Sequence, residues 1–105
     1  MEKPNLSYIY HISRGDKAFE KKLLDLLKKE YKEERLGYEK GVDKGDTKLS
    51  GINVHKLKHK MGILGLKEGS QVASRYEEEL LKGSFKSKEE FEAILEVMDQ
   101  YLELI

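Results

Sequence analysis

Two histidines four residues apart, His55 and His59, stand in the stretch "NVHKLKHKMGILGL" with Lys58 between them. A histidine nitrogen is a competent nucleophile near neutral pH, because the reference pKa of the ring is about 6.5. A lysine one helical turn away can contact an anion attached to, or approaching, that nitrogen. Phosphoryl transfer asks little of a protein beyond positioning and charge stabilisation. An exposed His with a neighbouring Lys therefore suits the acceptor's half of such a reaction. The metal-binding carboxylate cluster of a self-sufficient phosphotransferase is missing, so a partner must provide it. The i,i+4 spacing also suits a zinc pair. Yet no Glu follows the first His as in His-Glu-x-x-His, and no third ligand is signposted, so no metal site is expected. His11, in "YIYHIS", reads as an ordinary histidine on a short helix.

These residues can act only if a helix points them outward. At roughly 100° per residue, Val54, Leu57, Met61 and Leu64 fall together with Asn53 and make a core stripe. His55 lies on the opposite side with Gly51, Lys58, His59 and Gly62. A glycine inside a helix costs about 0.5–1 kcal/mol relative to alanine, which an ordinary solvated face has no need to bear. A surface that another molecule approaches closely does benefit, because the missing side chains clear the way to the imidazole. Ile52 and Ile63 flank this face, either as an apolar rim for docking or as a widening of the core stripe.

The surrounding elements read as helices. "DKAFEKKLLDLLKKEYKEERLGYEKGV" carries Phe19, Leu23, Leu26, Leu27 and Tyr31 at spacings of three and four, the period of an amphipathic helix. Asp16 suits its N-cap, and Gly37 and Gly41 predict fraying or a bend before "KGD". Asp46 suits the cap of a helix through "TKLSGINVHKLKHKMGILGL". A third, "SQVASRYEEELLKG", bears Val72, Tyr76 and Leu80 and stops at Gly83. A fourth opens with a Ser87/Glu90 capping box and continues with Phe91, Ile94, Leu95, Met98, Tyr101, Leu102 and Ile105. A shorter helix around "LSYIYHIS" precedes them. No alternating strand pattern, repeat or low-complexity linker is present. The fold expected is all-α: one domain over residues 1–105, an antiparallel up-down four-helix bundle with a short additional N-terminal helix.

Composition narrows the function. The chain has 105 residues, with 20 basic and 20 acidic side chains, and this balance argues against a general nucleic-acid binder. There is no cysteine, so neither a disulfide framework nor a thiolate metal site can form. The N-terminus "MEKPNLSYIY" lacks the apolar run and cleavage pattern of a secretory signal, and no window approaches a membrane span. A soluble cytoplasmic protein is the default expectation. "LGLKEGSQVASRYE" has some likeness to a helix-turn-helix turn, but Val72 comes one residue late and Met61 stands where a small side chain is wanted.

The stretch resembles the histidine-containing phosphotransfer (HPt) domains of bacterial and plant phosphorelays. Their signature is His, a variable residue, Leu, Lys and Gly, with a Leu-Gly pair five or six residues later. Here His55, Leu57, Lys58, Leu64 and Gly65 take those places. "SRGDKAFEKKLLDLL" is similar to the family's segment before its long helix, and "RYEEEL" to a later helix bearing a Glu. The resemblance covers about residues 5 to 105. It implies a phosphoryl carrier rather than an enzyme. His55 would accept a phosphoryl group from an aspartyl phosphate on a response-regulator receiver domain and pass it to another receiver. Lys58 would orient or neutralise the phosphoryl oxygens. Gly51, Ile52, His59, Gly62 and Ile63 would lie in the docking surface, with Ile9 and Ile12 from the N-terminal helix. The chain would bind no cofactor, the Mg²⁺ belonging to the partner receiver. Partners would be receivers or a hybrid sensor kinase, with no nucleic acid and no membrane, and the carrier a monomer. Met1 and the lack of linker sequence lead us to expect a free-standing protein. His59 stands where the family usually keeps Gly, and Met61 where a small residue is common. A degenerate, non-phosphorylated adaptor is the alternative these departures leave.

Overall fold

The computed structural model describes residues 2–105, and it is all-helical, with no strand among the described residues. The chain runs through α1 (Ser7–Ser13), α2 (Lys17–Asp43), α3 (Thr47–Ile63), α4 (Lys67–Leu81) and α5 (Lys88–Leu104). Two aspartates start helices as their position suggests. The Asp16 carboxylate accepts from Phe19 N–H at 3.0 Å, and that of Asp46 accepts from Leu49 N–H at 2.9 Å. Each satisfies a backbone donor that has no partner within its own helix. Gly83 stops the segment after α4 in the left-handed region, with φ of 80°.

α2 differs from expectation in a way that matters for packing. It does not fray at its glycines but continues as α-helix for 27 residues to Asp43. At 1.5 Å per residue that is about 40 Å, close to the full 44 Å length of the molecule. Its glycines are contact points. A Cβ at Gly37 would lie 2.6 Å from Asn53 Oδ1, and one at Gly41 would lie 2.5 Å from Ser50 Oγ and 2.8 Å from Ser50 N. Only the absence of side chains lets α3 come this close. Lys60 of α3 is buried against the same helix, 3.1 Å from Glu30 Oε1 and 3.0 Å from Glu34 Oε2. The pairs 41 with 50, 37 with 53 and 34 with 60 show that α2 and α3 run in opposite directions.

Contacts then pass from α3 to α4 and from α4 to α5, while α1 lies against α2. α5 returns to α2, where Tyr31 Oη donates within reach of Leu95 O (3.1 Å) and Asp99 Oδ1 (2.5 Å), and Arg35 pairs with Asp99 at 3.2 Å. The core between the helices includes Leu27, Tyr38, Val54, Leu57, Met61, Tyr76, Leu80, Phe91, Leu95 and Met98. Buried Tyr38 and Tyr76 share a 2.9 Å hydroxyl contact, and Tyr38 also donates to Glu92 at 2.8 Å. Two aromatic hydroxyls are thereby accommodated inside an apolar core.

Other boundaries and stripes are corrected. Phe19 and Leu26 are exposed, because the side of α2 that meets its neighbours is the one bearing Leu27, Tyr31 and Tyr38. α3 ends at Ile63, three residues before the expected Leu66, since Gly65 leaves the helix at φ 78° beside Asn5. α4 begins at Lys67, before the expected Ser70, and its first turn is capped from outside. The Glu2 carboxylate accepts from Gly69 N–H at 2.7 Å. The capping box at α5 does not form. Ser87 Oγ instead donates to Glu79 at 3.0 Å and accepts from Arg75 Nε at 3.2 Å, while Glu90 pairs with Arg75.

Candidate functional site

The rotation of α3 is set by its buried side. Val54, Leu57, Met61 and Leu64 are fully enclosed, and burying each is worth roughly 1.5–3 kcal/mol. Turning the helix would expose them. With that side pinned, His55 and His59 face solvent, and the His55 side chain is 51% exposed.

What the helix presents is more than two imidazoles. His55 Nδ1 lies 3.0 Å from Glu77 Oε2, and Lys58 Nζ lies 2.8 Å from Glu77 Oε1. One carboxylate from α4 thus binds both His55 and Lys58 of α3, one to each oxygen. Burial pushes the Glu77 carboxyl up, but the hydrogen bonds and charges of Lys58 and His55 outweigh burial and hold it below the usual carboxylate range. Glu77 is therefore ionised at neutral pH, and an ionised carboxylate can only accept. Nδ1 must be the donor. In the neutral ring the lone pair then resides on Nε2, the nitrogen that Glu77 does not occupy. The geometry selects one tautomer and one nucleophilic atom.

Two hollows open on this face, one against His55 and the other against His59. One, of about 570 Å³, has Gly51, Ile52, Leu80 and Leu81 beside His55 and Glu77, with Lys48 and Lys56 at its edge. Ile52 is half exposed and Leu81 almost wholly so. The other, of about 500 Å³, is lined by Tyr8, Lys58, His59, Gly62, Ile63 and Ser70. Neither glycine on this face is required by packing. A Cβ at Gly62 would meet nothing within 4 Å, and one at Gly51 would rest 3.8 Å from Leu80 Cβ. The His55 and His59 rings stand edge-to-face, 4.6 Å between centroids and 67° between planes.

The site residues expected from sequence are thus largely brought together: His55, Lys58, His59, Gly51, Ile52, Gly62 and Ile63 share one face. Ile63 does both things left open for it, since it packs partly against the core and lines the second hollow, whereas Ile52 points outward. Ile9 is a correction. It is 3% exposed and belongs to the core, so it cannot dock a partner; α1 turns Tyr8 to the surface instead. Ile12 is half-buried and lines neither hollow. Lys58 is not a free cation but is held by Glu77.

Glu77 itself was missed, as were Tyr8 and Leu81. "RYEEEL" offers three consecutive glutamates, and only the α3–α4 register picks out the one beneath His55. Among the described residues no group of three or more potential metal ligands is found, and no helix is long and apolar enough to cross a membrane. Comparison with protein-family models, with curated proteins and with solved structures finds no match to this chain.

Proposed function

We propose that this chain is a phosphoryl carrier of the HPt type, in which α2 to α5 form an antiparallel up-down four-helix bundle and α1 is an addition to it. The observation that carries the reading is the His55–Glu77–Lys58 arrangement on a glycine-cleared, solvent-facing side of α3. The Nε2 lone pair attacks the phosphorus of a receiver's aspartyl phosphate. An N–P bond forms, the P–O bond to the aspartyl carboxyl breaks, and the carboxylate leaves with its electron pair. The ring then carries positive charge, and Glu77 at Nδ1 stabilises it as it forms. Lys58 lies one turn away as a cation for the phosphoryl oxygens. The receiver supplies the acceptor or donor aspartate and the Mg²⁺. The reverse sequence delivers the group to a second receiver.

The test is incubation with phosphorylated receivers and mapping of acid-labile phosphate in wild type and His55→Gln. Label on wild type at His55 and none on the variant is the expected result. Equal labelling of both, or of neither, overturns the carrier reading. The second outcome would favour a non-phosphorylated adaptor, for which the bulky His59 ring beside His55 is the supporting observation.

A further inference from the structure

On the carrier reading, one residue of the face still lacks a role. Among the described residues His59 has no hydrogen-bond or ion-pair partner, although its ring touches that of His55. A helix surface offers long side chains such as lysine ample room there, so the imidazole is not demanded by packing. We propose that His59 is a phosphoryl-binding residue, whose ring N–H donates to the phosphoryl group once His55 carries it and so slows the loss of that group.

Two features of the geometry support this. Glu77 occupies Nδ1, so the phosphoryl group extends from the opposite edge of the His55 ring, away from α4. His59 is the neighbouring side chain on the next turn, with ring centroids 4.6 Å apart, a spacing that an N–P bond and a P–O bond together can bridge. The electrostatics also fit. The groups that line the hollow around His59 are Tyr8 of α1, Lys58, Gly62 and Ile63 of α3, and Ser70 of α4, with no carboxylate among them. Lys58, the cation there, is already engaged by Glu77, which α4 also brings to the His55 ring. Lys60 is turned away toward Glu30 and Glu34 of α2. A dianionic phosphoryl group arriving on this side therefore meets, besides Lys58, a histidine whose ring N–H can donate to a phosphoryl oxygen.

This inference rests on His55 being a phosphoryl acceptor, so the test uses a small donor that needs no receiver. Potassium phosphoramidate transfers its phosphoryl group to an imidazole nitrogen with loss of ammonia. Wild-type protein, His59→Gln, His59→Gly and His55→Gln are treated with it, and the ring resonances are followed by NMR from pH 5 to pH 9. The expected result is label on His55 together with a change in the His59 ring resonances that the unlabelled protein does not show. At pH 8, where acid cleavage of the N–P bond is slow, the label should be lost several-fold faster from His59→Gly than from wild type, with His59→Gln, whose amide can also donate, between them. Label on His55 with unchanged His59 resonances, or lost at the same rate from His59→Gly as from wild type, overturns the role of His59 and leaves the carrier reading standing. Label on His59 alone, or no label on His55, overturns both.

Discussion

Two pairs of glycines lie on the two sides of α3, and they do opposite things. Gly37 and Gly41 belong to α2 and face inward, where a Cβ would come within 2.6 Å and 2.5 Å of α3 atoms. Gly51 and Gly62 belong to α3 and face outward, where a Cβ would meet nothing closer than 3.8 Å. The first pair is explained entirely by the fold. The second is left unexplained by it, although an interior glycine lowers helix stability by about 0.5–1 kcal/mol. A feature that the folded chain does not use points to something outside the chain, and His55 sits between those two glycines.

The comparison can be broken by restoring side chains, beginning where the effect should be largest. Gly41→Ala forces the new methyl against Ser50 backbone, and overpacking of this kind destabilises by about 1–3 kcal/mol. Urea unfolding of the variant should show that loss. Gly37→Ala should lose less, since the atoms in its way belong to the Asn53 side chain, which can turn aside. Gly51→Ala should go the other way, gaining about 0.5–1 kcal/mol of helix stability while slowing phosphoryl exchange with receivers. If Gly51→Ala and Gly62→Ala exchange phosphate as fast as wild type, the cleared face has no part in docking.

A smaller effect tests the carboxylate that joins α4 to this face. The Glu77 pKa is held below its ordinary value, so between the two values the unfolded chain binds more protons than the folded one. Its contribution to stability is present above the ordinary value of 4.5 and is lost as pH falls through the lower folded value. Unfolding of wild type and Glu77→Gln should thus differ most at neutral pH and converge at pH 3. A gap that widens on acidification would mean that burial dominates, and that Lys58 and His55 do not hold the carboxylate.

Much of the site was legible because its cause is local. Val54, Leu57, Met61 and Leu64 repeat at helical spacing, and that stripe alone turns His55 outward. Asp16 and Asp46 precede their helices where a carboxylate can reach a free amide. The misses share another cause. Which glutamate of 77 to 79 lies under His55, whether Gly37 weakens a helix or receives a neighbour, and whether Ser87 caps α5 or binds Glu79 all depend on how two helices are set against each other. Ile9 failed similarly: α1 is only seven residues long, too short for a periodic pattern to distinguish Ile9 from Ile12.

Lys60 sits in a run of lysines that the sequence alone treats as equivalent, yet it is 8% exposed and clasped by two glutamates. Lys56 and Lys58, on the same helix, are more open to solvent. An amine-reactive reagent applied to the native protein should therefore modify Lys60 last, and the lag between it and Lys56 would report how often α2 and α3 part. The chain carries within its most chemically suggestive segment an intrinsic footprinting probe of its own opening.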